Sequence, residues 1–290
     1  MNKHISYAFF GTPEFASIIL EKLIGAGMPP VALICNPDRP VGRKKIVTPP
    51  PAKASILSQD ESIRETITIL QPEKVKEIEA QLRELQCDIF IVAAYGNIIP
   101  QSILSIPRLG TIGVHPSLLP RLRGATPIQS AILTGEQTTG VSLFVVDAKV
   151  DHGPVIAQEE LGDIDMHSVT YPELHHALAE LGATMLIQTL PVITKAIAEA
   201  PLQDESKVTM TTKFTSQDGE INASDLQKAM SGEAPELAIT IDRKIRAFNP
   251  EPSVFTIRDG VRTKLLQSAI RDGALVLKQI QIAGKLPQSL

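Results

Sequence analysis

The first apolar run, Ile5 to Phe10, is rich in β-favouring side chains and stops at the turn signal Gly11-Thr12-Pro13. Behind it Phe15, Ile18, Ile19, Leu23 and Ile24 fall on one helical stripe. Val31 to Cys35 is a second strand, bounded by Pro29-Pro30 and Asn36-Pro37. Strand, helix and strand in this order predict the βαβ unit of a parallel sheet. The turn at Gly11 is not a GxGxxG fingerprint, which disfavours a dinucleotide site. Residues 37–53 carry too many prolines for a helix or a central strand and read as a long loop. Thr66 to Leu70 is a strand between two helices, Ala54 to Leu57 and Pro72 to Leu85. Asp88 to Ala94 is almost continuously apolar, as a central parallel strand covered on both faces should be. Gly110 to Val114 and Gly140 to Val146 are further strands, and Val155 to Glu160 extends the sheet. In Tyr171 to Ala200, Leu174, Leu178, Leu181, Met185 and Leu186 recur at helical spacing and predict core packing.

The texture then turns polar. Residues 1–202 read as one domain, 203–215 as a linker and 216–290 as a second domain. The second holds two helices, Ala223 to Met230 and Ala234 to Phe248. Three β-like runs follow, Ser253 to Arg258, Thr263 to Ile270 and Ala274 to Ile282. Their turns are Asp259-Gly260 and Asp272-Gly273, a strong hairpin signal. The expected architecture is α/β, a mostly parallel sheet followed by a small β-barrel.

Composition adds little to this: 290 residues, 43% hydrophobic and 21% charged, are ordinary for a globular chain. Cys35 and Cys87 sit in apolar runs and read as buried thiols of a reducing compartment. The N-terminus lacks a signal-peptide pattern and no stretch reads as a bilayer span, so a cytoplasmic protein with no membrane partner is expected; a monomer is the default expectation. A net charge of -4 argues against general nucleic-acid binding. Its distribution is uneven. From Lys207 onward twelve Lys/Arg face nine Asp/Glu, and Pro37 to Lys53 holds five basic residues against one acidic. That pattern suits docking of a polyanion at chosen places as well as it suits a solvated basic face.

The candidate chemistry lies in Gly110 to Gln129 (GTIGVHPSLLPRLRGATPIQ). His115 follows an apolar strand, where open α/β sheets place their sites. A later strand ends in Asp147-Ala148-Lys149-Val150-Asp151-His152-Gly153. If the two strands are parallel neighbours, His115 and Asp151 meet at one sheet edge, a pair suited to proton transfer near neutral pH. His152 is given no role.

HPSLLPRLRGATPIQ and VDAKVDHGPVIAQ closely resemble the active-site signature of the formyltransferases that use 10-formyltetrahydrofolate. FFGTPEFA, NPDRPVGRKK, AAYGNIIP and RAFNPEP extend the resemblance, most closely to the tRNA-specific members. It implies a Rossmann-like catalytic domain, an OB-like second domain and formyl transfer to the α-amine of initiator methionyl-tRNA, without a metal. His115 and Asp151 match the family's His and Asp. Its Asn position is held by Gly113, so the usual oxyanion donor is missing, and Gly113→Asn is expected to be tolerated. The resemblance places the folate against Tyr95, Gly96, Asn97, Ile98, Ser117, Leu118, Leu119 and Pro120. It assigns tRNA contacts to Arg39, Arg43, Lys44 and Lys45, and to Arg243, Lys244 and Arg246 of a C-terminal domain that looks short for the family. A folate formyl hydrolase, a sugar-amine formyltransferase and a silent RNA-binding relative are the other readings.

Overall fold

The computed structural model describes residues 5–42 and 44–290. Its first elements are β1 (Tyr7–Phe10), α1 (Glu14–Gly25), β2 (Ala32–Ile34), β3 (Arg39–Val41), β4 (Ile46–Thr48), α2 (Pro51–Leu57), α3 (Glu61–Arg64) and β5 (Thr68–Leu70). There follow α4 (Glu79–Glu84), β6 (Ile89–Val92), α5 (Gln101–Leu104), β7 (Thr111–His115), β8 (Arg123–Gly124), α6 (Pro127–Thr134), β9 (Gly140–Val145) and β10 (Val155–Glu160). The rest comprises α7 (Tyr171–Thr189), α8 (Ile193–Ala198), β11 (Met210–Thr211), α9 (Ala223–Ser231), α10 (Pro235–Phe248), β12 (Val254–Arg258), β13 (Val261–Arg271), β14 (Ala274–Ile282) and β15 (Gln288–Ser289).

Two compact units form, and their borders cut across the expected ones. The first comprises residues 1–123, 140–161 and 176–209; the second comprises 124–139, 162–175 and 210–290. Residues 203–209, expected to be a linker, are thus part of the first unit.

The first unit is built on a seven-stranded sheet of order β10-β9-β7-β6-β1-β2-β5. From β7 to β5 all neighbours are parallel. The apolar run at β6 is explained by its place between β1 and β7, covered on both faces. One face packs Ala8, Phe10, Ile34, Val75, Leu82, Phe90, Tyr95 and Ile103 into a core, each large side chain stabilising by about 1.5–3 kcal/mol. On the other, a Cβ added to Gly182 of α7 would lie 2.9 Å from Val114 Cγ1. Only glycine lets that helix approach β7 so closely. The helical run Tyr171–Ala198 has the length and mean hydropathy (1.4) of a membrane span, contrary to the sequence reading. Its Leu174, Leu178, Met185 and Leu186 are nonetheless buried, which makes it a core helix. Both cysteines are buried as expected, and burial pushes their thiols up, to about 12 for Cys35 and about 11 for Cys87.

One sequence expectation fails here. β9 runs antiparallel to β7, in register Ile112↔Val145, Gly113↔Phe144, Val114↔Leu143 and His115↔Ser142. β10 then returns antiparallel to β9. An apolar run encodes burial and not direction, so the sequence could not distinguish the two pairings.

The second unit has a four-stranded antiparallel sheet, β12-β13-β14-β15, as a small barrel requires. Both expected hairpins form, with Asp259-Gly260 and Asp272-Gly273 all at positive φ, the type I′ pattern. α10 buries Ala238, Ile241, Ile245 and Phe248. At the C-terminus of α6, left-handed Gly135 leaves room for the Arg243 guanidinium packed directly against it, where a cation complements the helix dipole.

Candidate active site

β7 is buried throughout, and strand alternation puts Thr111, Gly113 and His115 on one face. His115 is 5% exposed. Its Nε2 lies 2.9 Å from the Leu122 carbonyl, which only accepts, so Nε2 carries the proton of the neutral ring. Nδ1 is then the lone-pair nitrogen, and it faces Asp151 Oδ2 at 3.6 Å. This is ion-pair range but too long for a hydrogen bond.

The carboxylate arrives by a route other than the one expected. Because β9 is antiparallel, the loop 146–154 leaves near the start of β7 and arches over the face bearing His115. Val146 N–H donates to Thr111 O at 2.8 Å, and Val145 N–H to Pro154 O at 2.9 Å, which closes the loop at its base. Asp151 has φ +47°, a left-handed conformation that Asp tolerates better than most residues. Beside it His152 Nδ1 and Asp147 Oδ2 pair at 2.7 Å. Burial would raise the Asp147 carboxyl, but the His152 hydrogen bond and the Lys149 N–H outweigh it and hold it below its ordinary value.

The place of the family's asparagine is filled. A Cβ built on Gly113 would lie 2.6 Å from Cζ of Phe144, the residue directly across the strand pair. Phe144 is 4% exposed and stands edge-on to the His115 ring, with centroids 6.4 Å apart at 88°. Glycine and phenylalanine therefore share one volume. Asparagine at 113, whose activity was expected to survive, would have to displace that ring, and position 113 supplies no side-chain donor. The cross-strand register that reveals this is not visible in the sequence.

The loop after His115 is braced from within. Ser142 Oγ donates to Ser117 O at 2.7 Å and accepts from Leu119 N–H and Gln158 Nε2. Ser117 Oγ donates to Arg121 O, and the Leu119–Pro120 bond is cis. Ser117 and Leu119, expected to touch folate, are buried parts of this brace. The Tyr95 side chain is 2% exposed and packs edge-on against Phe10 in the core, which leaves only its backbone to face the loop. The loop Gly96, Asn97 and Ile98 is exposed, with Ile98 at 92%. Leu118 packs on Gly140.

Instead of an irregular loop, β3 and β4 pair antiparallel, with Pro40 opposite Val47. Val41, Ile46 and Val47 are exposed on this pair beside Lys44 and Lys45. Arg39 makes an exposed ion pair with Glu73; Arg43 lies outside the described residues. Lys53 anchors the base of the pair, donating to both Asp38 oxygens at 2.8–2.9 Å and to Gln71. Lys53, then Gln71, hold the Asp38 carboxyl below its ordinary value.

In the second unit the expected basic cluster is largely spent. Arg246 is 8% exposed, donating to Asp242 and to Val169 O at 2.9 Å each. It is an internal ion pair and not a phosphate contact. Lys244 donates to Asp218 O. Lys264 and Lys278, not singled out from the sequence, line a cavity of about 770 Å³ with Gln279 and Gln281.

A family model described as formyl transferase matches residues 3–190. A methionyl-tRNA formyltransferase of Chloroflexus aggregans is 38% identical over 264 residues, 90% of this chain and 79% of the relative. That of Methylococcus capsulatus is 38% identical over 92% of this chain and 81% of its own. Among solved structures, a methionyl-tRNA formyltransferase from Clostridium thermocellum superposes with a TM-score of 0.58 at 16% identity, covering 96% of this chain and 98% of that one. With a buried histidine on a Rossmann-like sheet facing a half-buried loop aspartate, and relatives this similar along most of their length, the chain belongs to the formyl transferase family, in the group its methionyl-tRNA formyltransferase relatives form.

Proposed function

We propose that the chain transfers the formyl group of 10-formyltetrahydrofolate to the α-amine of initiator methionyl-tRNA in the cytoplasm. The observation that carries this reading is His115 Nδ1 facing Asp151 at 3.6 Å, in a chain whose curated relatives bear that activity in their names.

The amine attacks the formyl carbon, a C–N bond forms, and the carbonyl oxygen takes negative charge. His115 accepts the amine proton at Nδ1, the only ring nitrogen with a free lone pair, and the Asp151 carboxylate favours the resulting imidazolium. The new Nδ1–H can then donate to the oxyanion. One side chain thus serves as base and as electrophile, in place of the asparagine that Phe144 excludes. As the intermediate collapses, the N10–carbon bond breaks and N10 takes the proton from His115.

For folate, the exposed loop Gly96, Asn97 and Ile98, together with Leu118, offers apolar surface and backbone groups, and Tyr95 contributes backbone alone. Arg39, Lys44 and Lys45 on the β3–β4 hairpin suit phosphate contacts, since an exposed pair such as Arg39–Glu73 is worth little and exchanges readily. Lys264 and Lys278 take the place of Arg246 among the tRNA contacts.

The test incubates the protein with 10-formyltetrahydrofolate, with and without methionyl-tRNA. Formylmethionyl-tRNA supports the reading. Folate breakdown at the same rate without tRNA, or formylation of an amino-sugar alone, refutes it.

A further inference from the structure

The stretch expected to be a linker makes contacts that a linker does not need. Gln203 Nε2 donates to Asp151 O at 2.9 Å and to Gly153 O at 2.8 Å. Its Oε1 accepts from Arg123 Nε at 3.0 Å and Nη2 at 2.8 Å. Arg123 is 4% exposed and directs its remaining charge to Glu205 at 2.8 Å. At the other end of the stretch, Thr209 Oγ1 accepts the Leu122 N–H at 2.8 Å, and Thr209 O accepts the Arg123 N–H at 2.9 Å. Leu122 is the residue whose carbonyl fixes His115 Nε2.

One short segment therefore holds the backbone supports of both His115 and Asp151. Both supports need holding. Leu122 has φ +57° and Asp151 φ +47°, a region that L residues enter only at a cost. Two carbonyls and a guanidinium converge on position 203. A neutral carboxamide satisfies all three, since it has two N–H groups and an oxygen. A carboxylate there would face two carbonyls with no proton to offer.

We propose that Gln203 and Thr209 are positioning residues: the 203–209 segment is a clasp that sets the distance and angle between His115 Nδ1 and Asp151 Oδ2. It acts through Leu122 and the Asp151 backbone, not on substrate. His152 adds a second fastening from the same loop, its Nε2 lying 3.7 Å from Glu205 Oε1.

The kinetic part of the test rests on the functional reading above; the spectroscopic part does not. Full-length Gln203→Leu, Gln203→Glu, Thr209→Val and Thr209→Ser are compared with the parent in formylation kinetics and in pH titration of the His115 imidazole by NMR. A geometric error of about 1 Å costs on the order of 10²-fold in rate. Gln203→Leu and Gln203→Glu are expected to lower kcat by about that factor with KM for folate and tRNA unchanged. The His115 resonances and their titration midpoint shift with it. Thr209→Val lowers kcat in the same direction, and Thr209→Ser, which keeps the hydroxyl, restores it. Should Gln203→Leu not fold, the Thr209 pair decides. Folded Gln203→Leu or Thr209→Val proteins with parental kcat and unmoved His115 signals overturn the proposal. So does a rise in KM alone, which would make the segment a binding element. If the parent itself formylates no methionyl-tRNA, the functional reading fails, while the His115 titration still decides the clasp.

Discussion

Asparagine at position 113 pits the family's chemistry against this protein's packing. The new Cβ would lie 2.6 Å from Phe144 Cζ, under the roughly 3.5–4.0 Å of an ordinary carbon contact. Neither backbone yields easily, because the strands are paired in register on both sides of the collision. The ring has to turn, and it already stands against His115. Overpacking of this kind costs about 1–3 kcal/mol, at about 2–4 °C of Tm per kcal/mol for a unit of this size. Phe144→Ala alone is expected to cost up to about 3–5 kcal/mol, the range for a buried ring. In the double variant the carboxamide occupies the vacated volume, so the two costs do not add. The four proteins are compared by denaturant unfolding and by formylation rate. The expected coupling is at least about 1 kcal/mol in the stabilising direction, with kcat of Gly113→Asn below the parent and recovering in the double variant. Additivity within about 0.5 kcal/mol, or a Gly113→Asn protein as stable and as active as the parent, refutes the shared-volume argument.

His115→Ala and Asp151→Asn are each expected to reduce kcat by about 10²–10⁴-fold at temperatures where the variants remain folded; a loss below tenfold in either removes that residue from the reaction. Arg246→Ala is expected to destabilise by about 3–5 kcal/mol, because Asp242 is left buried without its partner. Lys264→Ala and Lys278→Ala, by contrast, leave stability intact, weaken tRNA binding and lower its salt slope by about 1 each; salt-dependent binding curves and thermal melts separate the two classes. The lowered carboxyls of Asp38 and Asp147 contribute stability that is fully present above their ordinary value of 3.8 and lost as pH falls through the lowered one. Acid unfolding of Lys53→Met, in which the Asp38 support is gone, is therefore shallower below pH 4 than that of the parent, and an unchanged acid limb contradicts the assignment.

The strands were legible where burial alone determines the residues. β1, β6 and β9 lie within apolar runs and β7 runs one residue past its own, to His115, and both Asp-Gly turns close hairpins because those residues accept positive φ. What stayed hidden depends on who lies opposite whom. The Gly113–Phe144 pair exists only once the register of β7 and β9 is known. Arg246 reads as one cation of a basic cluster until its Asp242 partner, four residues earlier on α10, is seen to be buried with it; that spacing was a usable signal. Gln203 looked like linker because polarity marks solvent exposure and internal hydrogen bonding alike. Pro40 argued against a strand, yet an isolated two-stranded hairpin has free edges on which a proline is tolerated.

The arch over β7 also determines what can be moved as one piece. β9, the loop through Asp151 and β10 are contiguous in sequence and antiparallel in space, and the Val145–Pro154 hydrogen bond closes the loop at its base. The reach of the carboxylate toward His115 is therefore written into the length of residues 146–154. In a directed-evolution library this hairpin is the natural cassette: exchanged whole, with Gln203 kept to hold the Asp151 and Gly153 carbonyls, it keeps the acid in place, whereas inserting a single residue into it shifts the acid without shifting the base.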